Sequence, residues 1–517
     1  MDLISNRDLF DLVKSLTKSE KRFLKLNATA LNLPSDQLIF FNNLEQKAQL
    51  KENFFEFNNS KGLNSNELNK QLSENLYSFI LKCLRSFHAE SIISFMIKDE
   101  ITNVLNLFDK AQYKQCRKIL NKQKQEAYRY ERFHHVLELT NIEKQLIAVE
   151  SQFNIKNNTI ENIVKEELDV IKKAKNFGTY TLLHSKINLN VKQKDKANSQ
   201  QDLEIIDSYL NSTLLKNKKE AQSIKALLIY HHCRSILFCR CLKNRSREKE
   251  CLLLLDLMDK NPDFIEEMPK RYLANLNNLI NIAYEEKKYK TCRIRIKQLE
   301  EKLDLKIFNA TDLQLKILIP TLNMKLMING NSGFSKAAEE NITEIEQVLK
   351  EYKGRISKDL EWMLYYNIAL INIYSSNYSK AQYYISLILS DGNNVLRQDL
   401  QSFARIINVI LQFELGNKRE LSYIISTIKN YYDGSITFYK TEKLIFGYFE
   451  ELSQTNDAID VQKLFLRFKQ DLEKVMKDPL EKSIFFYFEI DVYIESKIKG
   501  IQMTKLLQKK YAKACLK

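Results

Sequence analysis

Glycine and proline are scarce in this chain, and their scarcity limits the folds that it can adopt. The sequence has 10 glycines and 5 prolines among 517 residues, well below the typical usage of about 7% and 5%. Folds with many turns need these residues, whereas long helices joined by short links do not. The composition therefore predicts an all-α protein. Because one hydrophobic core stops growing at roughly 250–300 residues, the helices are expected to form several packed units.

The first hundred residues contain explicit helix signals. Thr17 and Glu20 form a capping-box pattern, in which hydroxyl and carboxylate satisfy free amides, so a helix is predicted from Lys18. Pro34 with the following Ser and Asp predicts a second start. Residues 67–108 keep a helical apolar period and are expected to form two helices with a break near 86–91.

The other prolines are Pro262, Pro269, Pro320 and Pro479, and they are expected to divide the remaining helical pattern. Residues 292–297 and 488–494 alternate between polar and apolar, but both lie inside longer helical patterns and are predicted as helix. With helices of about 12–18 residues, the chain accommodates about 22–26 of them. Antiparallel hairpins stacked side by side are the expected arrangement.

A repeat is clearest in residues 365–389 (YYNIALINIYSSNYSKAQYYISLIL). This segment resembles a tetratricopeptide repeat, in which large and small residues alternate at fixed places in two helices. The matching positions are Tyr365, Ala369, Tyr378 and Ala381. Similar turns contain Tyr113 and Cys116, then Tyr289 and Cys292, and a weaker copy spans residues 415–421. The spacing between copies is not constant.

The resemblance implies a fold and a type of function. It implies an irregular right-handed superhelix over residues 101–517, preceded by an N-terminal helical cap over residues 1–100. Proteins of this family hold peptides or helices of partners in a concave groove. Residues 12–25 (LVKSLTKSEKRFLK) also resemble the start of a group of uncharacterised bacterial proteins with tetratricopeptide-like bodies, a likeness that transfers no activity.

Most of the net charge of +15 lies in the middle of the chain. Residues 101–200 have 18 basic and 11 acidic side chains, and residues 201–300 have 19 and 14, which gives +7 and +5. Such a field attracts nucleic acid or acidic proteins, or belongs to a solvated surface. The candidate anion-binding or partner-binding residues are Arg240, Lys243, Arg245, Arg247, Lys287, Lys288, Lys290, Arg293, Arg295 and Lys297.

Motifs for catalysis are missing from the sequence. Gly330 and Gly333 lack the Lys-Ser/Thr of a phosphate loop, and no GxSxG elbow is present. Two metal alternatives were weighed against core packing: zinc at His232, Cys239 and Cys251, and a di-iron Glu-x-x-His element at residues 131–134. Neither has a complete ligand set, so no catalytic residue, metal site or cofactor is predicted.

The sequence also indicates where the protein works and with what. The first residues do not have the pattern of a secretion signal, no stretch is apolar enough to cross a membrane, and the eight scattered cysteines suit a reducing compartment. The prediction is a cytoplasmic, non-catalytic scaffold or regulator that holds a protein or peptide in its groove. The alternative is a helical-repeat protein that binds nucleic acid through residues 101–300. The sequence leaves the oligomeric state open.

Overall fold

The described part of the chain is built from α-helices. The computed structural model describes residues 6–30, 33–49, 66–88, 93–150, 158–193, 197, 200–333, 335–391, 397–432, 440–478, 481, 485 and 487–515. These residues form 25 α-helices, and no β-strand occurs among them. The all-α prediction is confirmed.

Two compact units, Met1–Ile171 and Lys172–Lys517, divide the chain within one long helix. The first unit contains seven whole helices and the start of an eighth: α1 (Asn6–Ser15), α2 (Lys18–Ala30), α3 (Ser35–Gln49), α4 (Asn66–His88), α5 (Ile93–Asp109), α6 (Tyr113–Arg129), α7 (Phe133–Glu150) and α8 (Asn158–Gln193). With 36 residues, α8 is twice as long as expected.

The second unit continues from α8 through seventeen further helices. They are α9 (Gln200–Leu210), α10 (Thr213–Lys216), α11 (Ile224–Arg240), α12 (Asn244–Asp259), α13 (Asp263–Glu267), α14 (Pro269–Glu285), α15 (Tyr289–Glu300), α16 (Thr311–Asn331), α17 (Ser335–Glu351), α18 (Lys358–Tyr374), α19 (Tyr378–Leu389), α20 (Gln398–Glu414), α21 (Lys418–Tyr432), α22 (Lys440–Gln454), α23 (Ala458–Val475), α24 (Ile490–Lys499) and α25 (Met503–Cys515).

Several predicted helix starts are confirmed. The amide of Thr17 donates to the Glu20 carboxylate at 2.7 Å, and the amide of Glu20 donates to the Thr17 hydroxyl at 3.3 Å, which is the predicted capping box. Pro269 is the first residue of α14. Residues 292–297 lie within α15, as predicted, whereas Phe488 precedes α24.

The expectation that Pro320 divides two helices is wrong, because Pro320 lies inside α16. Proline removes one backbone hydrogen bond from a helix interior and disfavours the preceding turn. Its neighbours Ile319 and Thr321 are 2% and 1% exposed, so tertiary packing on both sides outweighs the local cost. Pro479 lies outside the described residues.

The first unit has a separate core at its N-terminal end. Helices α1 to α4 share one apolar cluster that includes Leu9, Val13, Phe41 and Leu76, all fully buried or nearly so. Helices α5, α6 and α7 then pack on one another as consecutive antiparallel helices. Lys124 joins α6 to α7 and α8 through 2.7 Å contacts with Glu143 and Glu166.

The second unit is a series of helix hairpins. The pairs are α11–α12, α14–α15, α16–α17, α18–α19, α20–α21 and α22–α23, and each first helix from α14 onward also packs on the first helix of the next pair. We call α14, α16, α18, α20 and α22 the first-helix row. Close packing within it depends on Gly330 of α16, because a Cβ there would lie 2.0 Å from Ile371 of α18. Gly330, which does not belong to a phosphate-loop motif, thus has a packing role.

One turn geometry joins six pairs of consecutive helices. The residue two positions before the second helix has a φ between 47° and 74° at Ala111, Glu131, Leu242, Lys287, Ser376 and Gly416. The next amide reaches back to a carbonyl five residues earlier, as in the 2.8 Å bond from Lys288 to Ala283, so these are Schellman motifs. Four of the six belong to the copies found in the sequence, and the turns at Glu131 and Leu242 are additional.

The small-residue position of the repeat is buried at the contact between paired helices. Cys116, Cys292 and Ala381 are each 0% exposed. The Cys116 thiol lies 3.5 Å from the Val104 carbonyl, and the Cys292 thiol lies 3.6 Å from the Ile280 carbonyl. Since these two pairs have the same sequence separation, the two turns place cysteine in equivalent environments.

Candidate functional site

The first-helix row is covered over part of its length by the C-terminal segment, which we define as residues 487–511. The Tyr366 hydroxyl of α18 donates to the Tyr487 carbonyl at 3.2 Å. The Tyr487 ring stacks on Phe403 of α20 with ring centres 3.8 Å apart, and Phe488 stacks on Tyr374 of α18 at 6.4 Å. The row therefore already holds a peptide segment through backbone and aromatic contacts.

Charged side chains hold the C-terminal segment to α20 and join its first residues to its last helix. Glu414 at the end of α20 accepts hydrogen bonds from the Tyr493 hydroxyl and, at 2.5 Å, from Lys497. Lys510 of α25 bonds to Glu489 and lies 3.1 Å from Asp491. Burial lowers the pKa of Lys510, but these two carboxylates raise it more, so the ammonium stays charged.

The end of the segment reaches α15 and α16. The side chain of Gln508 donates to the Gly333 carbonyl at 3.0 Å, and the Tyr511 ring lies 4.6 Å from the ring of Tyr289. Gly333 leaves room for this contact, because a Cβ there would lie 2.3 Å from the Gln508 side chain. The segment thus touches helices across four consecutive hairpins.

A cavity of about 390 Å³ remains between the row and the segment. The side chain of Asn331 donates to the Tyr284 hydroxyl, while its buried carbonyl oxygen has no partner within the described residues. Burial raises the pKa values of Tyr284 and Tyr374 well above the ordinary value, so both hydroxyls stay protonated. The cavity suits an apolar group that also has a hydrogen-bond donor. Its other lining residues include Tyr289, Met327, Leu370, Phe485, Tyr487 and Phe488.

Three of the ten candidate basic residues lie within the fold. Arg240 and Arg247 are 6% and 5% exposed, and Arg247 forms an ion pair with Glu285 at 3.4 Å. Arg295 donates to the Leu279 carbonyl and to Glu248, each at 2.6 Å. The guanidinium groups of Arg247 and Arg295 join neighbouring hairpins. Since Arg240 is buried as well, these three residues cannot form part of a continuous anion-binding surface.

The other seven candidates are exposed, at the beginning of α12 and in or just before α15. Two of them have partners, since Lys288 pairs with Glu286 at 2.6 Å and Arg293 donates to Asn329 at 3.2 Å. The exposed set is Lys243, Arg245, Lys287, Lys288, Lys290, Arg293 and Lys297. These are the residues on which a nucleic-acid function depends.

The residues of the two metal alternatives have other neighbours. Cys251 lies 3.1 Å from the Ser235 hydroxyl, between α11 and α12, whereas the His232 ring lies 5.1 Å from the His184 ring of α8. Glu131 lies in the turn before α7, so it does not share a helix face with His134. Within the described residues, no group of three His, Cys, Asp or Glu side chains is arranged to hold a metal ion.

A network of charged side chains lies next to His232 and joins α11 to α12. Glu250 of α12 accepts from His231 and from Arg234 of α11, both at 2.7 Å. Burial raises the pKa of Glu250, but these two partners lower it more, so its pKa lies below the ordinary value. The network holds α11 to α12 as an ion pair, which is a packing function.

The tyrosines of the repeat pattern pack between helices. Tyr113 contacts Phe108 with ring centres 5.6 Å apart, and Tyr365 lies 6.0 Å from Tyr384. Tyr378 differs from these because Lys497 of the C-terminal segment lies 6.0 Å above its ring. Ala369 and Ala381 are both fully buried, as small residues at a helix contact should be.

The sequence did not indicate that the C-terminal segment belongs to the site. The only signal was the aromatic run at residues 485–488, followed by Glu489 and Asp491. Such a run resembles any buried stretch, and its long-range partners cannot be read from local pattern.

Comparisons of this chain with protein-family models, with curated proteins and with solved structures give no match. Among the residues that the structure describes, every helix is too short or too polar to span a bilayer.

Proposed function

We propose that this protein is a non-catalytic scaffold or regulator that binds a peptide segment of a partner along the first-helix row. The observation that carries the proposal is the C-terminal segment, which this surface already holds through Tyr366, Phe403 and Glu414. A surface that binds an internal peptide by backbone and aromatic contacts has the chemistry to bind an external one.

The architecture supports this function. We infer a tetratricopeptide-like right-handed superhelix, in which the first-helix row forms the inner wall of a groove. The recurring Schellman turn and the buried small residues of the paired helices support this inference. We further propose a cytoplasmic location, with thiols kept reduced.

The partner segment should share the chemistry of residues 485–491. Aromatic side chains would occupy the positions of Tyr487 and Phe488, and a donor group would reach the unpaired oxygen of Asn331. Because the C-terminal segment is covalently attached, its effective concentration is in the millimolar range or above, so an external peptide must displace a strong competitor. The uncovered protein is therefore the form that binds.

A labelled peptide tests this proposal directly. The peptide spans residues 484–499, and its binding is followed by fluorescence anisotropy with the full-length chain. We expect the double variant Tyr487→Ala/Phe488→Ala, which weakens the attached segment, to bind the peptide at least tenfold more tightly than the unaltered protein. A peptide with the same two replacements should bind neither protein.

A matched variant separates this effect from general loosening. Tyr383→Ala/Tyr423→Ala removes two tyrosines that are 58% and 72% exposed, and it should behave like the unaltered protein. If the Tyr487→Ala/Phe488→Ala variant remains folded by circular dichroism and still fails to bind the peptide, the row is only the C-terminal core and the scaffold proposal is wrong.

The nucleic-acid alternative draws its support from the seven exposed basic residues at the start of α12 and in or just before α15. If nucleic acid binds through them, the logarithm of the binding constant should fall linearly with the logarithm of the salt concentration. Replacing Lys290, Arg293 and Lys297 by Gln should reduce that salt slope, as measured with a labelled oligonucleotide. An oligonucleotide that fails to bind at about 50 mM salt, where such contacts are strong, excludes the alternative.

A further inference from the structure

Arg271 is a partly buried cation that has no counter-ion among the described residues. It is the third residue of α14, and burial lowers its pKa below the ordinary value of an arginine. No described residue forms a side-chain hydrogen bond or ion pair with its guanidinium group. The carboxylate one helical turn earlier, Glu267, is bound by Lys225 at 2.6 Å.

Two imidazoles interact electrostatically with this guanidinium group, and the side-chain amide of Asn188 lies 3.0 Å from Nε2 of the first one, His184. The rings of His184 of α8 and His232 of α11 are 5.1 Å apart, and the buried Nδ1 of His232 has no hydrogen-bond partner within the described chain. Burial, and then the charge of Arg271, lower the pKa of both histidines, that of His232 to about 3. Both rings are therefore neutral at pH 7, and each can offer one N–H group.

Among the described residues, no carboxylate pairs with any of these three side chains. The adjacent thiol of Cys233 is neutral, because burial raises its pKa to about 12. Transfer of a charge out of water costs free energy unless a partner restores the lost interactions. Arg271, His184 and His232 each remain partly exposed, so a solute can reach them.

We propose that His184, His232 and Arg271 form a binding site for a small oxyanion, a phosphate or a carboxylate group. The planar fork of an arginine matches two oxygens of either group, and the imidazole N–H groups supply further donors. The site shares no residue with the surface that the C-terminal segment covers. It therefore stands or falls independently of the peptide-binding proposal.

Nuclear magnetic resonance of the histidine rings tests the site in the full-length protein. Inorganic phosphate and acetate are titrated separately into a chloride buffer at constant ionic strength. We expect one of the two anions to shift the His184 and His232 signals in a saturable way, and the identity of that anion distinguishes phosphate from carboxylate. Arg271→Gln should weaken this binding at least tenfold. The exposed Arg245→Gln carries the same charge change and should leave the binding unaltered.

Thermal unfolding keeps the proposal testable if Arg271→Gln perturbs the fold. Without added anion, this variant should melt at the same temperature as the unaltered protein or higher, because it loses an uncompensated charge. The binding anion should raise the melting temperature of the unaltered protein alone. Equal anion affinity in both proteins, no saturable shift with either anion, or a much lower melting temperature of the variant in chloride would each overturn the proposal.

Discussion

Two partly buried cations of the second unit have opposite surroundings. Lys510 lies beneath the C-terminal segment, and two carboxylates, Glu489 and Asp491, contact it. Arg271 belongs to α14 and interacts electrostatically with the neutral side chains of His184 of α8 and of His232 and Cys233 of α11. The covered region thus compensates its charge internally, whereas the histidine–arginine region does not.

This difference shows what each region needs from outside. A region whose aromatic, backbone and charged groups are already paired gains a new ligand only by exchanging one partner for another. A region with an unpaired guanidinium group can bind an anion without displacing another group, because the anion restores interactions that burial removed. We therefore expect competition to govern peptide binding at the row, and direct saturation to govern anion binding at Arg271.

The largest expected effect comes from Tyr493→Ala, which tests whether the covered region is truly packed. Tyr493 is 1% exposed and touches Phe449, Phe465 and Phe488. Removing a buried aromatic ring should lower the free energy of unfolding by about 3–5 kcal/mol, measured by urea denaturation of the whole chain. Tyr493→Phe keeps the ring and should lose less than half as much. A loss below about 1 kcal/mol for the alanine variant contradicts the packing described above.

Lys510→Met and Arg271→Met compare the two cations directly. The first leaves Glu489 and Asp491 without their partner and should cost about 1–3 kcal/mol, a value reduced by the partial exposure of the pair. The second removes an unpaired charge and should cost less than about 0.5 kcal/mol in chloride buffer or even stabilise the protein.

Lys474→Met serves as the control for this comparison, because Lys474 pairs with Asp471 at the surface and is 72% exposed. Its effect should stay within about 0.5 kcal/mol. The same denaturation assay measures all three variants. Equal losses for Lys510→Met and Arg271→Met would remove the distinction between the two regions.

Local sequence could predict those features of the structure that depend on interactions between residues close together in the chain. The capping box at Thr17, the helical class and the turns at Lys287 and Ser376 follow from side chains that act within a few residues. The turn at Glu131 could also have been predicted, because Phe133 and Val136 have the same spacing as Tyr113 and Cys116 in the first copy of the repeat. The turn at Leu242 has no such marker, because the buried residue of its second helix is Arg247.

The covered surface and the anion site could not be predicted, for a different reason. Tyr487 meets Tyr366 across 121 residues, and Arg271 interacts electrostatically with His184 and His232, which lie on two other helices. No periodicity encodes such encounters. The basic patches show the same limit, since a run of charges cannot reveal that Arg247 and Arg295 face carboxylates of neighbouring helices.

Acidification should weaken the histidine–arginine region before it affects the ion pairs of the protein. His232 has a pKa of about 3 when folded and an ordinary value of 6.5 when unfolded. The unfolded chain therefore binds more protons below pH 6.5, and stability falls as the pH decreases towards 3. Between pH 6.5 and 5.5 the loss should be about 1 kcal/mol.

This pH dependence is measured by urea denaturation in phosphate-free buffers, and His232→Asn should remove most of that loss. His134→Asn, which alters an exposed ring in the first unit, should not. The carboxylate of Glu250 acts in a lower range, because its lowered pKa gives stability that is lost only as the pH falls below about 4.5. Identical pH slopes for the His232→Asn variant and the unaltered protein would show that this imidazole is not held neutral by the fold.

The smallest effect concerns the turns that both regions share. Leu242 follows α11, the helix of His232, and Ser376 follows α18, the helix of Tyr366, and both have a positive φ near 60°. Glycine adopts this conformation without the steric penalty of a Cβ. Leu242→Gly and Ser376→Gly should therefore each raise the free energy of unfolding by about 0.5 kcal/mol, the gain being reduced by the greater entropy of glycine in the unfolded chain.

Gly416→Ala is the reciprocal change at an open position with a φ of 74°, and it should cost about 1 kcal/mol. If Ser376→Gly stabilises and Leu242→Gly does not, the leucine side chain packs in a way that offsets its strain, and the two turns are equivalent in backbone geometry alone.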